Sequence, residues 1–447
     1  MCNNCKIIQR KRFTMQQETP QTIDTVLTRM FALHRHGIKP GLERIEELMQ
    51  QSGRPHKKFP SIHVAGTNGK GSVCSILAAI LSAAGYRVGL YTSPHVRHFR
   101  ERIRINGVPI TDEEIIDLAA PMIASAEKTK TTFFEITTAM AFQYFAQKKV
   151  DIAIIETGMG GRLDATNVVH PLVSVITSID YDHTDFLGTS LTSISEEKAG
   201  IIKYKVPAVI GEPRQNLRPV FERKAAAADT IAYFPDDDWT AKSTEYRTDM
   251  TMSVHVTAPM GELKDLRSAL IGEHQCRNIL TALYTLRLII KELPVSEKAV
   301  REGLINIHAL TGLTGRVQLL QENPRLVLDV GHNSSGMTAL RLTLERCFGK
   351  EPTWNLVFAA MSDKKAIEML NNIRPICKSV FLCVPKVERA LPLSLLHEAA
   401  QSVGFTDIHD CTSVAEAVQK ARNTHEPCII AGSFYLADEA LSYLQSQ

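Results

Sequence analysis

At 447 residues the chain exceeds what one hydrophobic core usually organises, so two or three domains are expected. Its composition, 44% hydrophobic and 22% charged, is that of a globular protein, and a formal charge of +3 is close to neutral for this length. With no Lys/Arg block, no run of ~18 apolar residues and no apolar secretory core in residues 1–15, nothing points to a nucleic-acid or membrane partner.

In chain order, the first strong signal is an apolar strand at 62–65 that runs into Gly66-Thr67-Asn68-Gly69-Lys70-Gly71-Ser72 and then a helical stretch at 73–84. A strand at 87–91 follows, and Asn106-Gly107 between short β-like runs signals a hairpin over 103–110. Thr111-Asp112-Glu113-Glu114 reads as a capping box opening a helix. A helix over 134–146, strands at 151–156, 172–179 and 206–211, and an Ala-rich helix near 225 come next. Periodicity is lost over 235–265, apart from 252–256, which alternates like an exposed strand. A long helix is expected over 273–291.

Beyond about residue 315 a second series begins. Strands at 326–330, 356–360, 380–384 and 428–431 are separated by helices near 335–346, 363–374, 393–402 and 413–422, with a last helix after Phe434. The fold class expected is α/β: an N-terminal nucleotide-binding domain over 1–312, a linker over 313–322, and a Rossmann-like domain over 323–447. The nine cysteines are irregularly spaced, and several (Cys74, Cys383, Cys428) sit in apolar runs, so a reducing, cytoplasmic setting is expected. Cys2 and Cys5 have metal-like spacing but no matching second pair, and are read as incidental.

A glycine-rich turn between a buried strand and a helix N-terminus gathers backbone N–H groups and the positive end of the helix dipole, and Lys70 can reach outer phosphates. A nucleoside triphosphate is therefore expected here, although Gly71 stands where the usual loop has Ser or Thr. Three further segments follow predicted strands, where open α/β sheets place ligands. Glu156 ends one strand ahead of a loop containing Gly158, Gly160 and Gly161, a position suited to a Mg²⁺ ligand. Asp182-His183 at the next strand end offers metal ligands, an acid–base pair, or simply a solvated loop. Lys198, before Ala199-Gly200, reads on spacing alone as a surface lysine.

The order of these segments changes that reading. The phosphate loop, Thr92-Ser93-Pro94-His95, the Glu156 loop, Asp182-His183 and Glu197-Lys198-Ala199-Gly200 together resemble the folylpolyglutamate synthase/dihydrofolate synthase family of Mur-type ATP-dependent amide ligases. The resemblance runs from Gly41-Leu42-Glu43-Arg44 to Gly432-Ser433-Phe434. It implies a P-loop ATPase domain with a Rossmann-like domain that binds glutamate, and a reaction joining L-glutamate to a folate or to dihydropteroate through an acyl phosphate. A monomer is implied as well.

By resemblance, Gly66, Thr67, Asn68, Gly69, Lys70, Gly71 and Ser72 hold the ATP phosphates, Asn278 meets adenine, and Arg316 and Asp329 reach the nucleotide from the second domain. Ser93, Glu156 and His183 match Mg²⁺ ligands at two metal sites, and Lys198 matches a lysine carried as its carbamate. Lys70, His183 and Lys198 would form the catalytic set. In Asp329-Val330-Gly331-His332-Asn333-Ser334 the sequence departs from the family pattern at Gly331 and Ser334. Thr132, Phe133, Phe134, Glu135 and Asp164 fall where the resemblance places the pterin or folate. Within the same class, the alternative is a ligase acting on a UDP-sugar cell-wall precursor.

Overall fold

The computed structural model describes residues 22–33, 41–351 and 353–447; Cys2 and Cys5 lie outside them. The N-terminal unit is built on a sheet of eight strands: β1 (Ser61–Ala65), β2 (Val88–Tyr91), β3 (Ile103–Ile105), β4 (Val108–Pro109), β5 (Ile152–Glu156), β6 (Val173–Ile176), β7 (Ala208–Ile210) and β8 (Ala232–Tyr233). Their spatial order is β4-β3-β2-β5-β1-β6-β7-β8. The strands from β2 to β8 in this order run parallel, and β3 and β4 add an antiparallel edge. Asn106 and Gly107 make the hairpin turn between β3 and β4, both with positive φ.

Strand β1 is buried at all five positions because helices cover both faces of a parallel sheet. It lies between β5 and β6, so the chain crosses over it in both directions. The carboxyl ends of these three strands therefore open a crevice at a topological switch point. The helix Lys70–Ala83 leaves this crevice with ten buried residues. The helices Asp112–Thr129 and Phe133–Lys148 pack elsewhere on the sheet, each opened by the Thr/Glu capping box its sequence specifies.

The region 235–265 differs from expectation. It forms a three-stranded antiparallel sheet of β9 (Thr240–Tyr246), β10 (Met252–Ala258) and β11 (Gly261–Ser268), with β10 in the centre. Met252, Val254 and Val256 are buried, so this strand is not the exposed one its alternation suggested. The outer strands are polar and half exposed, which is why they carry little periodic signal.

The C-terminal unit is a six-stranded sheet of β12 (Gln318–Glu322), β13 (Arg325–Asp329), β14 (Trp354–Phe358), β15 (Cys377–Leu382), β16 (Ile408–Asp410) and β17 (Cys428–Ala431), in the order β12-β13-β17-β14-β15-β16. All pairs are parallel except β12 with β13. Residues Gln318–Glu322, inside the segment expected to be linker, are thus an edge strand of this sheet. The connection between the two units narrows to the turn at 312–317. Among the described residues no helix is long and apolar enough to cross a membrane.

The helix Glu297–Ile305 supports the phosphate-loop helix from behind through a close approach at Gly303. A Cβ there would lie 2.6 Å from Ile80 Cα and 2.7 Å from Ile80 N. Backbone cannot yield as a flexible side chain would, so Gly303→Ala is expected to cost ~1–3 kcal/mol. A lowered urea midpoint checks this; an unchanged midpoint would contradict the packing described.

Candidate active site

The phosphate loop is held open by two glycines. Gly66 has φ 150°, and a Cβ on it would lie 1.8 Å from Thr177 Oγ1; Gly69 has φ 86°, and its Cβ would lie 2.5 Å from Asn278 Oδ1. Both positions need a residue without a side chain. Thr177 Oγ1 donates to the Asn68 carbonyl at 2.8 Å, and Thr67 N–H donates to the Ser178 carbonyl at 2.8 Å, which ties the loop to the end of β6. Ser72 is buried, and its Oγ accepts from Gln275 Nε2 at 3.4 Å. Lys70 Nζ donates to the carbonyls of Gly66 (3.0 Å) and Thr67 (3.3 Å).

The loop forms one wall of a cavity of about 340 Å³, and the expected ligands gather around it. Glu156, at the end of β5, is 4% exposed, and its carboxylate accepts from the Ser93 N–H at 3.1 Å. Burial pushes its carboxyl up, against the pull of Lys70, the Ser93 amide and Arg316. Ser93 and His183 line the same cavity. His183 sits at φ 50° and caps the short helix Thr184–Leu187, its ring 3.5 Å from Asp182. Burial also lowers the His183 imidazole, so it is neutral and has a free lone pair near neutral pH.

Lys198 is placed differently from a surface lysine. It is 3% exposed and lies under the loop, its Nζ donating to the Gly66 carbonyl at 2.8 Å. It lines neither this cavity nor the acceptor cavity described below. Burial, with Lys70 nearby, brings its ammonium down to about 7, so a large neutral fraction is present at physiological pH. The turn that carries it is pressed against the glycine loop: a Cβ on Gly161 would lie 2.8 Å from the Lys198 carbonyl, and one on Gly200 2.3 Å from Arg162 Cβ. Arg162 N–H donates to the Glu197 carbonyl across this junction at 2.8 Å.

The C-terminal unit closes the cavity. Asn68 Nδ2 donates to Ser335 Oγ at 2.9 Å, and Asn333 Nδ2 donates to Asn68 Oδ1 at 3.0 Å. Lys364 pairs with Asp182 at 2.8 Å; burial alone would raise Asp182, but His183 and Lys364 hold it down to about 2. Arg316 and Asp329 both line the cavity. Asp329 is buried, and its two carboxylate oxygens accept from the N–H groups of Val317 (2.9 Å) and Gly331 (2.7 Å). Val317 has φ 47°, a costly conformation for a β-branched residue, and this bond holds it there. Asp329 thus fixes the turn that presents Arg316. Gly331 and Ser334 leave the neighbouring helix start intact, with Asn333 capping Gly336.

A second cavity of about 690 Å³ opens beside the first and contains all five residues expected near a pterin. Phe134 packs over Gly158, where a Cβ would lie 2.5 Å from the ring. Phe133 is buried and stacks on Phe31 with 5.1 Å between centroids. Thr132 and Glu135 make a capping box, and Glu135 also pairs with Arg44 at 3.0 Å. Asp164 is buried and braces the glycine loop. One oxygen accepts from the N–H groups of Gly158 and Met159 (both 2.9 Å), the other from Thr166 N (3.0 Å) and Oγ1 (2.5 Å). Thr132, Glu135 and Asp164 therefore shape this wall from below. Motif reading gave no role to Lys364, which hides in a charged triplet.

A glycine-rich loop cavity lined from two α/β units, with a second cavity opening beside it, is the organisation expected of an ATP-dependent amide ligase of the Mur type. The sequence profiles agree: the Mur ligase middle domain matches residues 64–286, and the Mur ligase glutamate ligase domain matches residues 315–434. A Bacillus subtilis dihydrofolate synthase/folylpolyglutamate synthase is 35% identical over 423 residues, covering 91% of this chain and 95% of that protein. The Escherichia coli protein of the same name is 32% identical over 440 residues, covering 96% and 98%. Among solved structures, Escherichia coli FolC in complex with DHPP and ADP superposes with a TM-score of 0.85 at 31% identity, covering 96% of this chain and 98% of that one. Mycobacterium tuberculosis folylpolyglutamate synthase complexed with ADP gives 0.84 at 30% identity, covering 94% and 98%. The chain belongs to the dihydrofolate synthase/folylpolyglutamate synthase family.

Replacing Asp329 by Asn leaves one backbone N–H without its carboxylate partner and relaxes the strained Val317 turn. Asp329→Asn is expected to destabilise by ~1–3 kcal/mol and to raise the KM for ATP as Arg316 loses its position. Denaturation and nucleotide kinetics check this. Unaltered values in both would contradict the bracing role.

Proposed function

We infer that the protein joins L-glutamate to a folate, to dihydropteroate, or to both, using ATP to activate the acceptor carboxylate. One observation supports this above others. The phosphate cavity and the acceptor cavity share Ser93, Pro94, Gly158 and His183, so an acceptor's carboxylate at that seam meets the outer phosphate of ATP held by the loop. A carboxylate is a poor electrophile. Transfer of the γ-phosphoryl forms a bond from phosphorus to a carboxylate oxygen and breaks its bond to ADP, giving an acyl phosphate. The glutamate amine then attacks the acyl carbon, phosphate departs, and the amide nitrogen loses its proton.

Lys70 neutralises charge on the transferring group, and Arg316 approaches from the other unit. The Asn68–Ser335, Asn68–Asn333 and Asp182–Lys364 links hold the two units together over this point, which limits hydrolysis of the acyl phosphate by water. The donors present suit Mg²⁺. Glu156 is a buried carboxylate with one hydrogen bond facing the loop, Ser93 adds a hydroxyl and His183 a neutral imidazole. Among the described residues no three His, Cys, Asp or Glu side chains form a complete cage, so these three donors would hold the ion only in part. When bound, Mg²⁺ offsets charge on the β- and γ-phosphates.

Lys198 suits carbamylation. Its neutral amine adds to CO₂, forming an N–C bond and releasing one proton, and the product is an anion that lengthens the side chain toward the loop. The cation becomes a carboxylate-like group able to serve a second metal site. The family match favours this reading over a ligase for a UDP-sugar precursor, which shares only the wider Mur scaffold.

ATP-dependent incorporation of labelled L-glutamate, with dihydropteroate and tetrahydrofolate offered separately, is expected to give product with at least one of them. Absence of product with both would overturn the reading. With ¹³C-bicarbonate, the wild type is expected to show a carbamate resonance that Lys198→Ala lacks, and the variant is expected to lose ~10³-fold or more in kcat while staying folded. Near-full turnover in Lys198→Ala would remove the role assigned to it.

A further inference from the structure

Six charged or ionisable side chains line the acceptor cavity: Arg102, Glu135, Arg162, Asp164, His183 and Glu197. Five have partners within the protein. Glu135 pairs with Arg44 and caps its helix, Arg162 pairs with Glu197 at 2.9 Å, Asp164 accepts four hydrogen bonds, and His183 lies against Asp182. Arg102 is the exception. It is 8% exposed, and its one hydrogen bond runs from Nε to His95 Nδ1 at 2.7 Å. Its guanidinium carbon stands 5.4 Å from the centre of the Phe133 ring. Nearby Glu101 is already taken up by the N–H groups of Val96, Arg97 and His98. The two terminal nitrogens of the Arg102 fork thus make no hydrogen bond or ion pair within the protein, and Glu156 and Glu101 act on the guanidinium only from beyond contact distance. A largely buried guanidinium with no direct ion-pair partner is costly, and it persists where a ligand supplies one.

The location of the fork restricts which group it can take. The carboxylate that reacts must lie at the Ser93/Gly158/His183 seam, within reach of the γ-phosphate. Arg102 lines the acceptor cavity alone, and neither the nucleotide cavity nor the seam includes it. Resting on the reading above that this cavity takes a pteridine carboxylic acid, we propose that Arg102 binds the second, non-reacting carboxylate of a glutamylated acceptor. It would do so through a two-pronged hydrogen bond, with Phe133 stacked beneath the guanidinium. An acceptor ending in glutamate carries that extra carboxylate, and pteroate does not. Arg102 is then a specificity residue for chain extension, distinct from the machinery that activates the reacting group.

Equilibrium binding of pteroate and of pteroyl-L-glutamate to the full chain, with ADP and Mg²⁺ present, tests this by calorimetry. Wild-type protein is expected to prefer pteroyl-L-glutamate by ~10–100-fold, the range for a hydrogen-bonded charged group. Arg102→Met, which keeps the stem length and removes the charge, is expected to abolish the preference, with the loss confined to pteroyl-L-glutamate; Arg102→Lys is expected to restore part of it. Without ligand, the Tm of Arg102→Met is expected to equal or exceed that of wild type, because an unpaired buried cation is gone. Equal affinity of wild type for the two ligands, an equal loss for both in Arg102→Met, no binding of either by wild type, or a lowered ligand-free Tm would each overturn the proposal. Failure of the ligase reading is seen separately, as absent glutamate incorporation by a wild-type protein that still discriminates between the two ligands.

Discussion

Two lysines reach for the same oxygen. Lys70 from the helix start and Lys198 from a distant turn both donate to the Gly66 carbonyl, at 3.0 and 2.8 Å. Burial first, and the nearby Lys70 charge second, bring the Lys198 ammonium down to about 7. The positive φ of Gly66 and the Thr177 and Ser178 anchors of the flanking loop keep that one carbonyl in place.

From this point the molecule extends in two directions. Toward the C-terminal unit, Asn68 and Asp182 reach across to Asn333, Ser335 and Lys364, so the loop itself takes part in the contact between the two units. Toward the acceptor cavity, the glycine loop braced by Asp164 lies back to back with the Lys198 turn at Gly161 and Gly200. Ser93 and His183 line both cavities, which makes their seam the point where the proposed chemistry would occur.

Much of this was legible in the sequence. The switch-point strand β1, its loop and the helix behind it stand out because a fully apolar strand, glycines and a lysine come in an order with few structural alternatives. Glu156 was legible for the same reason, as a carboxylate ending an apolar run. What escaped depends on contacts between distant segments. Thr240–Tyr246 and Gly261–Ser268 are polar strands whose pairing with β10 decides their state. Gln318–Glu322 is an edge strand with one buried neighbour, easily read as linker. Asp164 and Asp329 carry hydrogen bonds from backbone N–H groups that no motif announces, besides lining the two cavities. Lys198 reads as a surface residue until the fold closes over it, and Arg102 differs from any other arginine only in what surrounds it.

The central claim is that the acceptor carboxylate meets the γ-phosphate at the Ser93/His183 seam and becomes an acyl phosphate. Turnover of an acceptor labelled with ¹⁸O in its reacting carboxylate tests this directly. The account predicts that the inorganic phosphate released carries one ¹⁸O from the acceptor. Phosphate free of label, with amide formed at the normal rate, would contradict it.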